Sequence, residues 1–221
     1  MTWILEYITP SLDIIYVLAL FGLALAVFSD HLQIIAKYQG AINLRVAAGY
    51  NLAMKVMVVN RIGAVLYFLL LSFNIDNGLG HSKLSMGLGL VVLSVAAPTV
   101  GLMIWLQKRI DNVDAGVRVL DVAHWPKSIV VAAFLATMFN LLGLTLPWVA
   151  SAAFPEQRLT LANTSFLFNT VFTVINVFFI EHRFARLIDA EAVKIHGFVA
   201  GVILARLLAF FIVGIGLVLL A

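Results

Sequence analysis

Two arginines lie inside long apolar stretches of the chain. Arg61 follows the residues VMVVN and precedes IGAVLYFLLL, while Arg206 lies within GFVAGVILARLLAFFIVGIGLVLLA. A guanidinium keeps its proton in proteins, so at membrane depth it must meet an anion, a cluster of carbonyl groups or water. The two arginines therefore limit the chain to folds in which an apolar helix carries a permanent charge. They also predict that the protein handles a negatively charged group.

Composition decides the class of fold. The chain has 221 residues, of which 63% are hydrophobic and 11% are charged, and its mean hydropathy is +1.07. Since soluble domains of this size are far less apolar, we predict an all-α, polytopic integral membrane protein. The sequence contains no cysteine, which excludes disulfides and thiolate chemistry.

Six apolar runs are long enough to cross a bilayer, for which a helix needs about 20 residues. We predict transmembrane helices near residues 12–36, 48–73, 84–106, 128–150, 160–180 and 198–220. The N-terminus lacks the basic and small-residue features of a removable signal, so the first run is predicted to be a retained span. No linker or change of composition divides the chain, which predicts one six-helix domain over residues 1–221.

Basic residues predict the orientation of the helices. Among the basic residues that lie between spans, only Lys83 and Arg158 fall on one side of the predicted membrane. Nine fall on the other side, namely Lys37, Arg45, Lys108, Arg109, Arg118, Lys127, Arg183, Arg186 and Lys194. The positive-inside rule makes the second side cytoplasmic and puts both termini outside the cytoplasm. This bias explains the pI of 9.3, so we predict no nucleic-acid partner.

Polar residues near the end of the first span form one candidate site. Asp30, Gln33 and Lys37 share a helical face, and Ser29 precedes them. They form either the solvated end of the helix, with Asp30 and Lys37 as a weak surface pair, or a site that binds a cation of span two.

Span two carries both Lys55 and Arg61. Lys55 lies near the cytoplasmic end and can extend its ammonium to the interface. Arg61 lies about 9 Å deeper, which is too deep to reach the interface easily. We therefore predict that Arg61 binds a ligand or pairs with a buried carboxylate, for which Asp30 is a candidate.

Span five carries a polar face, formed by Ser165, Asn169, Thr173 and Asn176 and continued by Arg183. Such a face either hydrogen-bonds a neighbouring helix or lines a hydrated groove, and the sequence leaves both interpretations open.

Span six carries small residues at every fourth position, Gly197, Gly201, Ala205 and Ala209. Small residues let another helix approach closely, so we predict that this face packs against a helix, and the Gly197/Gly201 part could join two copies in a homo-oligomer. Arg206 lies one position past this face, beside a predicted polar cavity.

Several chemistries lack the residues they need. The five histidines fall at predicted loops and helix ends, without the spacing of metal ligands. The chain has no phosphate-binding loop and no nucleophile elbow, and no carboxylate lies deep in a predicted span. We therefore predict no catalytic residue, no metal and no cofactor, and a protein that is not an enzyme.

Two long segments resemble one family of bacterial membrane proteins. FSDHLQIIAKYQGAINLRVAAGYNLAMKVMVVNRIG has Ser29-Asp30, Gly40 and Asn60-Arg61 where Amj lipid II flippases carry a hydroxyl-acid pair, a glycine and a hydroxyl-arginine pair. In the second half, PKSIVVAAFLATMF, FPEQRLTLANTSFLFNTVFTVINVFFIEHRFARLID and LARLLAFFIVGIG follow the order of motifs in that family. The chain departs from the family at His182, where a proline is expected, at Asn60, and in a shorter stretch between spans three and four.

The resemblance implies a function and a location. Members of this family move a polyprenyl-pyrophosphate-linked precursor (lipid II-like) across the bacterial cytoplasmic membrane for peptidoglycan synthesis. It implies a multi-pass inner-membrane protein whose partners are this lipid-linked glycan and membrane lipids. On this interpretation Arg61, Arg206 and Lys55 bind the pyrophosphate, and Arg183 lies at the cytoplasmic end of the polar face. Sugar or peptide groups then contact Asn169, Thr173 and Asn176, and Asp30 holds a cation when no substrate is bound.

Two other classes of function fit the same residues. In a non-transporting subunit of a larger complex, the arginines neutralise buried carboxylates or bind free carbonyl groups. In a membrane enzyme that acts on lipid phosphates, the same cations require a general base, which the sequence does not place near them.

Overall fold

The computed structural model describes the backbone of residues 2–111, 127–190 and 195–221, and the side chains of 13–108, 127–189 and 195–221. Arg118 and Lys194, together with the side chain of Arg109, lie outside these residues. The elements are α1 (Thr2–Ile42), α2 (Val46–Asp76), α3 (His81–Asp111), α4 (Lys127–Ala153), a 3₁₀ turn (Pro155–Gln157), α5 (Arg158–Ile175), a π-helical turn (Asn176–Glu181), α6 (His182–Ala190) and α7 (Ile195–Leu219).

The described residues contain six helical segments that are long and apolar enough to cross a membrane, and this confirms the all-α prediction. They are Asp13–Ile42, Val46–Asp76, His81–Lys108, Lys127–Ala153, Pro155–Asp189 and Ile195–Leu219. The fifth segment is continuous because the π-helical turn joins α5 to α6 without a break, and we call it span five. The main difference from the prediction is α1, which continues to Ile42 where residue 36 was expected.

Glycines allow α1 and α2 to pack backbone against backbone. A Cβ atom added at Gly63 would lie 2.9 Å from the carbonyl oxygen of Gly22, and one added at Gly40 would lie 2.6 Å from the Cα of Gly49. These distances are too short for a real Cβ, so both crossing points require glycine. As a result, α2 packs mainly against α1 and leaves much of its surface exposed.

Helix α7 occupies the centre of the bundle and packs against α3, α4 and α1. Its small residues Gly201, Ala205 and Ala209 are buried within the chain. These residues therefore pack within the chain, and a homo-oligomer through the Gly197/Gly201 part of the face stays a prediction.

Contacts between helix ends define the two ends of the bundle. At one end Lys83 pairs with Asp13 at 2.6 Å, Ser82 donates a hydrogen bond to the carbonyl oxygen of Ala221, and Arg158 pairs with Asp76. We call this the terminal end, and the other is the opposite end. Which end faces the cytoplasm stays a prediction from the basic residues.

Candidate functional site

Polar side chains from four helices meet halfway along the bundle. We call this set the polar layer, and it consists of Asp30 and His31 of α1, Asn60 of α2, Asn140 of α4 and Arg206 of α7. Beside it lies a pocket of about 220 Å³, lined by Val27, Asp30, His31, Thr137, Asn140, Phe172, Arg206 and Phe210. Its enclosed part has room for about one water molecule. We call it the Arg206 pocket.

Asp30 lies deep in α1 and is held by amide groups. It comes twelve residues before the helix ends at Ile42, a distance of about 18 Å along the helix. Of the two interpretations left open for these residues, the solvated helix end is therefore wrong, and so is the prediction that no carboxylate lies deep in a span. Asn60 and Gln33 donate hydrogen bonds to Oδ1 at 3.0 and 3.3 Å, and Asn140 donates to Oδ2 at 3.2 Å.

Arg206 is buried, and two of its three guanidinium nitrogens lack an acceptor among the described residues. Its residue surface is 6% exposed, and its Nε and Nη1 atoms have no hydrogen-bond partner in the described part of the chain. Although its charge acts on Asp30, no ion pair of 4.0 Å or less joins the two side chains among the described residues. Buried charged donors without acceptors are unfavourable, so an acceptor group in the Arg206 pocket would stabilise this side chain.

His31 lines the same pocket, which the sequence pattern did not predict. The side chain is 1% exposed, its Nδ1 lies 3.3 Å from the carbonyl oxygen of Val27, and its ring lies 5.1 Å from that of Phe210. The other nitrogen, Nε2, has no hydrogen-bond partner among the described residues. The prediction that the histidines lie at loops and helix ends is thus wrong for His31, because α1 is longer than expected.

Arg61 and Lys55 lie on the exposed side of α2, away from the Arg206 pocket. Arg61 is nevertheless close enough for its charge to act on Asp30. Its neighbour Asn60 links α2 to α1 by donating to the Ala26 carbonyl oxygen at 2.6 Å as well as to Asp30. Arg61 therefore borders the polar layer from outside, whereas Lys55 is separated from it by more than a helical turn.

The polar face of span five is partly used for packing against α4. A Cβ atom added at Gly143 of α4 would lie 2.6 Å from the Cβ of Phe168 and 3.5 Å from the Oδ1 of Asn169. Thr173 donates to the Asn169 carbonyl oxygen of its own helix and is exposed. The helix-packing interpretation therefore fits Asn169, and neither residue lines the Arg206 pocket.

The π-helical turn changes the environment of the next polar residues. Asn176 begins this turn, and its Oδ1 is buried without a partner in the described structure. Glu181 ends the turn and accepts a hydrogen bond from Lys37 at 2.6 Å. Lys37 thus pairs with span five, and the predicted surface pair with Asp30 does not form. Arg183 follows on α6 and is exposed.

Within the described ranges, no group of three His, Asp or Glu side chains is placed to hold a metal ion. The arrangement instead offers two free guanidinium donors, a carboxylate and an imidazole around a space with room for about one water molecule. In comparisons with protein-family models, curated proteins and solved structures, no match was found. The resemblance to the Amj family therefore rests on the sequence motifs quoted above.

Proposed function

We propose that this protein is a flippase that moves a polyprenyl-pyrophosphate-linked cell-wall precursor from the inner to the outer leaflet of the bacterial cytoplasmic membrane. The observation that carries the proposal is the buried guanidinium of Arg206, whose Nε and Nη1 lack acceptors beside a pocket. Phosphate oxygens suit these donors because charged N–H groups form strong hydrogen bonds to anionic oxygens.

The charges of the polar layer and its border favour an anionic substrate. Asp30 contributes one negative charge, while Arg206 and Arg61 contribute two positive charges, which leaves an excess of one positive charge. In a medium without water this excess requires a counter-charge. A pyrophosphate supplies it, and the prenyl chain of the same molecule can stay in the lipid.

The exposed side of α2 offers a lateral route to this layer. In the half of α2 from Val46 to Arg61, the side-chain hydrogen bonds and the cation–π contact of the described residues go to α1. In the other half, Tyr67 donates to the Leu144 carbonyl oxygen of α4 at 2.5 Å and Asp76 pairs with Arg158. A lipid-linked head group can therefore pass Arg61 on the side where α2 has the fewest neighbours.

An ion pair between two helices lies at each end of this route. At the terminal end Asp76 and Arg158 join α2 to span five, and at the opposite end Lys37 and Glu181 join α1 to span five. Since span five takes part in both bridges, its movement relative to α1 and α2 would open one end or the other. The π-helical turn at Asn176–Glu181 is a suitable hinge, because such turns weaken the regular helical hydrogen bonding.

The experiment that tests the proposal measures which leaflet holds a lipid-linked precursor. Proteoliposomes containing a fluorescent polyprenyl-pyrophosphate-linked glycan are treated with a membrane-impermeant quencher, with and without the protein. We expect the quenched fraction to rise from about half towards completion with the wild type and to remain at half with Arg206→Ala. Equal quenching in liposomes with and without the wild-type protein would refute the proposal.

A lipid-phosphate hydrolase is the second candidate, and one observation favours it. The sequence placed no base near the arginines, whereas His31 and Asp30 both line the Arg206 pocket. A general base must lie within hydrogen-bonding reach of its proton, and His31 Nε2 is free of other partners among the described residues. Incubating the purified protein with a prenyl pyrophosphate and measuring released phosphate separates the two functions, since a flippase releases none.

A further inference from the structure

The hydrogen-bond partners of Asp30 can bind both its ionised and its protonated form. Asn60, Asn140 and Gln33 donate amide protons to its carboxylate. An amide also carries a carbonyl oxygen, so by rotating it can accept the proton of a neutral carboxyl group, which a guanidinium or an ammonium cannot do. A carboxyl group whose hydrogen-bond partners are amides can therefore keep a partner in both of its protonation states.

The Arg206 pocket contains the means to deliver that proton. With the Nδ1 proton directed at the Val27 carbonyl oxygen, His31 Nε2 carries a free lone pair. Arg206 has free donors in the same space, which has room for about one water molecule. A water there can accept from Arg206 and donate to His31 or Asp30, which connects the carboxylate to an exchangeable proton.

We propose that Asp30 is a proton-binding site linked to anion binding at Arg206, so that one proton from solvent is taken up with each anion bound. An ionised Asp30 repels a phosphate-type anion that approaches Arg206, and a neutral Asp30 does not. By linkage, anion binding favours the protonated carboxyl group and protonation favours the bound anion. This inference rests on the proposed function and adds the coupled ion to it.

The helices that pack near Asp30 contribute a small set of charged or titratable groups. The charges of Arg206 on α7 and Arg61 on α2 interact directly with Asp30. His31 is the residue after Asp30 on α1, and the charge of Glu181 on span five interacts with Arg206. Between Lys83 and Lys108, α3 has no titratable side chain, and α4 has none after Lys127. Glu181 is already paired with Lys37, so Asp30 is the carboxylate whose charge responds to an anion at Arg206.

The test measures proton uptake by the full chain in lipid nanodiscs, with farnesyl pyrophosphate as the probe and farnesol as its uncharged control. Calorimetric titrations in two buffers of different ionisation enthalpy give the protons taken up per bound probe. We expect the wild type to take up about one proton more than Asp30→Asn, which removes the proton site without changing its shape. The affinity of the wild type should rise about tenfold more per unit fall in pH than that of Asp30→Asn.

Asp13→Asn is the matched control, because Asp13 is an exposed carboxylate on the same helix, and it should behave as the wild type does. If the wild type and Asp30→Asn bind the pyrophosphate with equal proton uptake, the coupling is refuted while head-group binding, and with it the proposed function, stands. If neither protein binds farnesyl pyrophosphate in preference to farnesol, the anion site itself is absent and both proposals fail.

Discussion

Arg206 and Arg61 lie in similar sequence surroundings and in opposite structural ones. Both are flanked on each side by apolar residues. Arg206 is buried in the central helix, between α3 and α4, whereas Arg61 is exposed on a helix that packs mainly against α1. An arginine in an apolar run therefore predicts the need for a hydrogen-bond acceptor, while the packing of its helix decides whether that acceptor comes from inside the bundle or from outside.

If the protein moves a lipid-linked anion, as proposed, the difference gives the two side chains separate tasks. Arg206 can bind only what enters the pocket beside Asp30, so it determines which group is recognised. Arg61 can meet a head group that is still at the lipid-facing surface, so it acts earlier. Substitutions that affect one region and spare the other test this division.

The largest effect is expected for Arg206→Met, which removes the charge and keeps an unbranched side chain. Transport in proteoliposomes should fall about 100-fold or more, because two donors to the anion are lost. The unfolding temperature should stay the same or rise, because a buried charge without acceptors is removed. The exposed neighbour Leu208 provides the control Leu208→Met, which should change neither quantity. A fall in both transport and unfolding temperature would mean that Arg206 stabilises the fold by pairing with Asp30.

Gly63→Val should have the next largest effect and act on the Arg61 region alone. The valine Cβ would meet the Gly22 carbonyl oxygen at 2.9 Å and force α2 away from α1. We expect the free energy of unfolding to fall by about 2 kcal/mol in denaturant titrations. Gly101→Val is the control, since nothing lies within 4 Å of a Cβ at Gly101 and the residue is exposed. An unchanged stability of Gly63→Val would show that the two helices are not in backbone contact.

Arg61→Ala should reduce transport about tenfold, which corresponds to about 1.4 kcal/mol. The effect is smaller than at Arg206 because the exposed guanidinium holds the substrate only on its way to the pocket. Arg61→Lys should retain most of the rate, because it keeps the charge. Lys55→Ala, which removes a cation nearer the start of the same helix, should change transport by less than about twofold. Equal losses for Arg61→Ala and Arg206→Met would remove the distinction between the two regions.

The sequence predicted the number and the approximate bounds of the helices, because length and apolar composition are local properties. It placed the end of α1 too early and left open whether Asp30, Gln33 and Lys37 form a solvated terminus or a buried site. In the structure Asp30 accepts hydrogen bonds from Asn60 and Asn140, and Lys37 donates to Glu181, all on other helices. Partners that come from distant parts of the chain leave no local signal, so the helix was ended too early.

The same cause limited the prediction of the candidate site. Arg206, Asp30 and Arg61 were all identified, since a charge in an apolar run is visible in the sequence. Which of them share a pocket depends on the rotation of each helix, and this is set by close contacts such as that between Gly22 and Gly63. His31 was missed because it becomes a buried residue only when α1 is known to continue to Ile42.

Asp76→Asn should have the smallest effect, because its partner Arg158 forms an exposed ion pair at the terminal end. We expect the free energy of unfolding to fall by less than about 1 kcal/mol and transport to change by less than about twofold. Tyr67 still joins α2 to α4 on this side, through its hydrogen bond to the Leu144 carbonyl oxygen, so α2 keeps its position when the ion pair is lost. A large change in transport with unchanged stability would instead show that opening of the terminal end limits the rate. In that case the contacts at the helix ends would matter more than the difference between Arg206 and Arg61.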